Sequence, residues 1–212
     1  MTQIQEYSRL TPEQKEQVRR KVNSEFEAQN NHELEARIKR SGITKHYLRA
    51  KPSQATISML ARLTNHETTG LILRGETGRG KTYEACAILL EHLKCKPGRF
   101  ATMNSILANV RSAYSTNENF EEVFGRYKGT SLLVIDDLGK ENISQDSITK
   151  LFELIDSRLA NERPTIITTQ FTNSELMKRY ARKVNEPEMM EAILSRLGQF
   201  VAIDYKGRDR RA

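Results

Sequence analysis

The chain has 212 residues, 37% hydrophobic and 29% charged. That is enough for one sizeable core and too little for two full domains with a linker. The formal charge of +7 is compatible with a polyanionic partner without identifying one, and no apolar run approaches the ~18 residues of a membrane-spanning helix. The polar start, Met1-Thr2-Gln3-Ile4-Gln5-Glu6, lacks the apolar stretch of a signal peptide. Cys86 and Cys95 fall in one expected helix at a spacing that suits neither zinc nor a disulfide framework. A cytoplasmic protein with reduced thiols and no membrane contact is expected.

In chain order, Thr11-Pro12-Glu13-Gln14 is a helix start: Thr11 caps, Pro12 fits the first turn, and Gln14 stands at the capping-box position. Helix formers continue to Arg40, with Asn30-Asn31 expected to split the run into two helices. Val18, Val22 and Phe26, spaced by four, form one thin apolar stripe. Residues 1–40 therefore cannot bury a core alone. They read as a helical arm that lies on the main domain or docks on a partner, and Ser41-Gly42 ends it.

Residues 41–212 read as the main domain. Strands are expected at 71–73, 100–103, 132–135, 165–169 and 201–203, with helices at 82–93, 104–114 and 145–160 and a capping-box restart at 172–175. Short apolar strands alternating with helices predict an α/β domain with a mainly parallel five-stranded sheet flanked by helices. No internal repeat or low-complexity tract interrupts it.

Gly75-Glu76-Thr77-Gly78-Arg79-Gly80-Lys81-Thr82 fits G-x-x-x-x-G-K-[ST] at every fixed position. A triphosphate is best held by several backbone N–H groups aimed at one point and backed by a helix N-terminus. The three glycines let the backbone curl close to the phosphates. Lys81 reaches the β- and γ-phosphates, and the Thr82 hydroxyl is placed to ligate magnesium. The required strand before and helix after are both present in the pattern. ATP and Mg²⁺ are the cofactors expected, with 75–82 and the adjoining Tyr83 as the nucleotide-binding set.

A phosphate loop needs a carboxylate on a neighbouring strand. Leu132-Leu133-Val134-Ile135-Asp136-Asp137 ends in two, at the strand terminus where ligands bind in open α/β sheets. Asp136 is the expected magnesium partner, and Asp137 is placed to orient or deprotonate the attacking water. The stretch between residues 81 and 136 has room for a helix, a strand and a second helical stretch. Another strand is expected to separate the phosphate-loop strand from the acidic one. The strand at 165–169 is followed by Gln170, which could bond the nucleophilic water or the γ-phosphate, with Thr169 the close competitor.

The set 75–82, Leu133-Val134-Ile135-Asp136-Asp137-Leu138-Gly139-Lys140-Glu141, Pro164-Thr165-Ile166-Ile167-Thr168-Thr169-Gln170 and Ile193-Leu194-Ser195-Arg196-Leu197 resembles the DnaC/DnaI/IstB group of AAA+ ATPases, bacterial and phage helicase loaders and transposition helpers. Ser41-Gly42-Ile43-Thr44-Lys45-His46-Tyr47-Leu48 is similar to the lead-in that precedes the group's ATPase core. The resemblance covers about residues 40–212 and implies a P-loop NTPase fold of the AAA+, ASCE type. By position it implies that Asp136 and Asp137 are the Walker B pair. Gln170 stands at the sensor-1 position, usually Asn, and its longer arm changes how it would meet water. Arg196 is the arginine finger that reaches a neighbouring subunit's ATP, and Arg211 is the terminal arginine of the group's G-x-x-x-R. Residues 104–128 occupy the place of a helical element that lines a DNA channel in initiator-type members, with Arg111, Arg126 and Lys128 as candidate phosphate contacts. No cysteine precedes Cys86, so the cysteine-rich zinc module of DnaI-type loaders is not expected.

The first functional reading is a self-associating ATPase that loads a replicative hexameric helicase, held through residues 1–40, onto single-stranded DNA. The runner-up is an IstB-like transposition helper acting on duplex DNA with a transposase. The third is a nucleotide-gated adaptor that hydrolyses little, for which Asp137 and Gln170 leave room. A small-molecule kinase has no use for Arg196 in its Ser-Arg-Leu setting.

Overall fold

The protein is described here by a computed structural model covering residues 10–115, 118–184 and 187–206. Helix α1 spans Pro12–Ser41, and a 3-10 turn, Lys45–Arg49, leads to α2, Gln54–Thr64. Strand β1, Gly70–Arg74, is followed by α3, Lys81–Leu93, and β2, Gly98–Thr102. Helices α4, Met103–Ser115, and α5, Phe120–Gly129, precede β3, Leu132–Leu138. The chain continues through α6, Gln145–Ala160; β4, Thr165–Thr169; α7, Asn173–Ala181; α8, Pro187–Leu197; and β5, Val201–Asp204.

The five strands form one parallel sheet in the order β2-β3-β4-β1-β5. A strand does separate β1 from β3, and it is β4. The strand that lies between them in sequence, β2, goes to the edge. Burial accords with the order: β1, β3 and β4 are almost continuously buried, whereas the edge strands are not, β2 being half-buried at three of its five positions and β5 alternating between half-buried and exposed. Strands covered on both faces belong in the middle.

Period-two alternation sends each central strand into two cores. Leu71, Leu73, Leu132, Val134 and Ile166 meet α2 and α3 on one face. Ile72, Leu133, Ile135 and Ile167 meet α4 to α8 on the other.

The expected break at Asn30-Asn31 is absent. Helix α1 runs unbroken for 30 residues. Asparagine is only a modest helix destabiliser, and no Gly or Pro interrupts the helix formers around the pair. The stop is Gly42, in the left-handed region at φ 82, where a Cβ would lie 2.6 Å from the Phe100 carbonyl oxygen. Only the last turns of α1 lie on the sheet domain. Leu34 and Ile38 pack there, and Arg37 Nη1 donates to the carbonyls of Leu93 and Lys94 at the end of α3. Val18, Val22 and Phe26 are exposed. Cys86 is buried in α3, but Cys95 lies beyond its end and is exposed, so the two do not share a helix. Among the described residues no helix is long and apolar enough to cross a membrane.

Candidate functional site

Between β1 and α3 the chain turns through Gly75, Gly78 and Gly80, all at positive φ. Gly75 also passes close beneath Tyr205, whose carbonyl oxygen would stand 2.4 Å from an added Cβ. Here only glycine fits. Lys81 opens α3, is buried, and donates from Nζ to the Glu76 carbonyl at 2.8 Å. Glu76 and Arg79 form an ion pair within the loop, which gives Arg79 a local partner.

The second half of the site comes from β3. Its pairing with β4 shifts register between Ile135 and Leu138, and such irregularities re-aim side chains. Asp136 Oδ1 accepts from Thr82 Oγ1 at 2.9 Å and from Thr168 Oγ1 at 2.6 Å. Burial raises the Asp136 carboxyl above its ordinary pKa, and these two hydroxyls pull it part of the way back. Asp137 follows at φ 56. Its N–H donates to Thr168 Oγ1 at 2.9 Å, and its Oδ2 pairs with Lys140 Nζ at 3.0 Å.

Just beyond β4, Gln170 Oε1 accepts from Thr77 Oγ1 at 3.1 Å, so this side chain touches the phosphate loop. Thr169, the alternative, is buried and donates to the Leu138 carbonyl at 2.7 Å. Glu141 explains the rest of the acidic motif. It is buried, accepts from the Gly139 N–H at 2.7 Å and from the Tyr180 hydroxyl, and so braces the turn after β3.

These elements enclose a cleft of about 470 Å³. Thr77, Gly78, Gly80, Lys81, Thr82, Tyr83, Asp136 and Asp137 line it. Gly75, Glu76 and Arg79 are not among its lining residues. His46, Tyr47 and Lys140 line it as well, though sequence reasoning gave them no role. The rings of His46 and Tyr47 meet edge to face at 4.9 Å. Tyr83 is tied to the same lead-in, its hydroxyl accepting from the Lys51 N–H at 2.9 Å. A signal existed in the adjacent rings of His46 and Tyr47 in the lead-in.

A hydroxyl and a carboxylate oxygen at Thr82 and Asp136 are hard donors of the kind magnesium takes. Among the described residues no group of three or more His, Cys, Asp or Glu gathers to hold a metal. The pair fits an ion that completes its shell with phosphate and water.

Arg196 sits apart from the phosphate cleft of its own chain. Its Nε pairs with Asp156 Oδ1 at 2.6 Å, and its guanidinium lies 4.4 Å over the Phe152 ring, beside Ser195 and Gln199 on another hollow. Of the candidate DNA contacts, Arg111 pairs with Asp146 and Arg126 with Glu118, both half-exposed. Lys128 pairs with Glu153 and covers the Phe124 ring, so its charge is largely compensated. Arg211 lies outside the described residues.

The parallel sheet, the phosphate loop on a helix N-terminus and the acidic strand one position removed define a P-loop NTPase fold. The profile of the IstB-like ATP binding protein family matches residues 14–208, and the chain belongs to that family. An ATP-binding protein of insertion sequence IS1162 from Pseudomonas fluorescens is 34% identical over 107 residues, 49% of this chain. The match spans 45% of that protein's length. Among solved structures, DnaI superposes with a TM-score of 0.62 at 22% identity, over 78% of this chain and 96% of that one. The DnaC helicase loader gives 0.61 at 20% identity, over 77% and 100%. The replication initiator DnaA bound to AMPPCP and single-stranded DNA gives 0.60 at 12% identity, over 73% and 46%. These structures share the fold. The family match makes the chain an IstB-like ATP-binding protein on that fold.

Proposed function

We propose that this chain hydrolyses ATP with magnesium and uses the nucleotide state to control assembly of a partner protein on DNA. The observation that carries this reading is the meeting of Lys81, Thr82, Asp136 and Asp137 at one cleft, with Gln170 bonded to Thr77 of the loop that lines it. Backbone N–H groups of 75–82 and the N-terminus of α3 hold the phosphates. Lys81 exchanges its bond to the Glu76 carbonyl for phosphate oxygen. Thr82 and Asp136 hold the magnesium, which when bound neutralises charge on the phosphates. Asp137 takes the proton of a water as its oxygen bonds to the terminal phosphorus and the bond to the bridging oxygen breaks, giving ADP and phosphate. Gln170 orients that water. Arg196 acts on the ATP of a neighbouring copy.

In this reading residues 1–40 are the partner arm and 41–212 the ATPase unit. The arm holds a replicative hexameric helicase for delivery to single-stranded DNA. A transposition role is the second reading, favoured by the IstB-like family match and the insertion-sequence relative. The test is phosphate release from Mg-ATP, alone and in mixtures. Arg196→Ala and Asp137→Ala should each lower it about 100-fold or more, and mixing the two should restore part of it. No rescue at any ratio refutes the shared site. Capture experiments with ATP present then decide the partner: recovery of a transposase rather than a helicase sinks the loader reading.

A further inference from the structure

We propose that Lys140 senses the terminal phosphate: it holds Asp137 when the cleft lacks a triphosphate and changes partner when one binds. The inference rests on the ATPase reading above. Lys140 Nζ stands 3.0 Å from Asp137 Oδ2, and both residues line the phosphate cleft together with Lys81 and Thr82. One oxygen of the carboxylate assigned to water is thus engaged by a cation from three residues downstream.

The turn that carries both charges is fixed. The Lys140 N–H donates to the Asp137 carbonyl at 3.1 Å, and Asp137 and Gly139 both take positive φ. At Gly139 a Cβ would lie 2.6 Å from the Phe171 ring. Glu141 holds the Gly139 N–H and Arg179 donates to the Gly139 carbonyl. The lysine side chain is not fixed in this way. It is 38% exposed, and its flexible stem lets the ammonium move while the turn stays still.

Charge decides between the two partners. A half-exposed carboxylate–ammonium pair is weakly held. A terminal phosphoryl group carries about 1.5 to 2 negative charges and three strong acceptor oxygens, so it outcompetes one carboxylate for the same cation. ADP has no such group in that position. Lys140 therefore leaves Asp137 for ATP and stays for ADP, and Asp137 is released to meet water only when there is a phosphate to transfer.

Binding of a non-hydrolysable ATP analogue and of ADP, with magnesium, tests this without relying on turnover. Lys140→Ala should weaken the analogue about tenfold, the value of one charge-assisted contact, and leave ADP within about twofold. Lys140→Arg should restore most of the discrimination. Asp137→Asn should tighten the analogue about threefold by freeing Lys140, and that gain should vanish in the Lys140→Ala background. Equal effects on both nucleotides, or the same Asp137→Asn gain with and without Lys140, would overturn the proposal and leave the ATP reading standing. Wild-type protein that binds neither nucleotide would overturn both.

Discussion

Two buried charges sit at opposite ends of the same sheet, and the chain treats them differently. Arg158, 1% exposed, lies near the N-terminal ends of β3 and β4. Its Nε donates to Thr165 Oγ1, its Nη1 to the carbonyls of Tyr127, Lys128 and Thr130, and its Nη2 to the Pro164 carbonyl. Burial lowers its pKa to about 9, and it remains charged at neutral pH. Asp136, 8% exposed, lies at the C-terminal end of β3. Two hydroxyls donate to its Oδ1, and among the described residues its Oδ2 takes no hydrogen bond. The cation is saturated by the protein, while the anion keeps an unspent oxygen beside a cleft. A buried charge with its valences filled is architecture; one with capacity left is suited to bind a ligand.

That contrast predicts opposite mutants. Arg158→Ala strips the donor from several backbone carbonyls at once and should cost at least about 3 kcal/mol of folding free energy. Urea unfolding measures it, and a loss below about 1 kcal/mol would end the architectural assignment. Nucleotide affinity of the folded variant should be unchanged. Asp136→Asn should do the reverse. Hydrolysis should fall about 100-fold or more, while the fold gains rather than loses.

The sign of that gain follows from burial. The folded-state pKa of Asp136 is raised, so its ionisation opposes folding. The stability associated with this group is full below the unfolded value of 3.8 and is lost as pH rises through the folded value. At neutral pH the Asn variant should therefore be the more stable, and the gap should close as pH falls below 3.8. A gap of constant size across that range would mean that the carboxylate is not strained by burial.

The two charges also differed in legibility. Asp136 could be read because a run of four apolar residues ending in acids is rare and has a chemical reason. Arg158 is one of 34 basic residues, on a helix whose pattern gives no hint of an inward arginine. Only the tertiary fold brings the Tyr127 and Pro164 carbonyls to it. The strands and the helix starts were legible for local reasons, since apolar runs and the capping boxes at Thr11 and Thr172 are written within a few residues. Which strand separates β1 from β3 was not, because it depends on crossovers. Gln170 could not be separated from Thr169 either: their difference is a hydrogen bond to the Leu138 carbonyl made across the sheet.

Helix α1 carries the same contrast between spent and unspent surface, at a smaller energy. Leu34 and Ile38 are partly buried against the sheet domain, whereas Val22 and Phe26 are 55% and 64% exposed. The helix does not need that second pair to form, since Thr11 and Gln14 close its first turn and Gly42 ends it. Replacing Val18, Val22 and Phe26 together by Ser should therefore move stability only slightly, within about 0.5 kcal/mol per exposed site. Ile38→Ala removes packed surface and should cost about 1 kcal/mol or more. If the stripe is the partner arm, the triple variant should lose partner capture while keeping wild-type ATP affinity, because it lies outside the phosphate cleft. Undiminished capture would move the contact off this stripe, and a loss of ATP affinity would show that the stripe and the cleft are coupled.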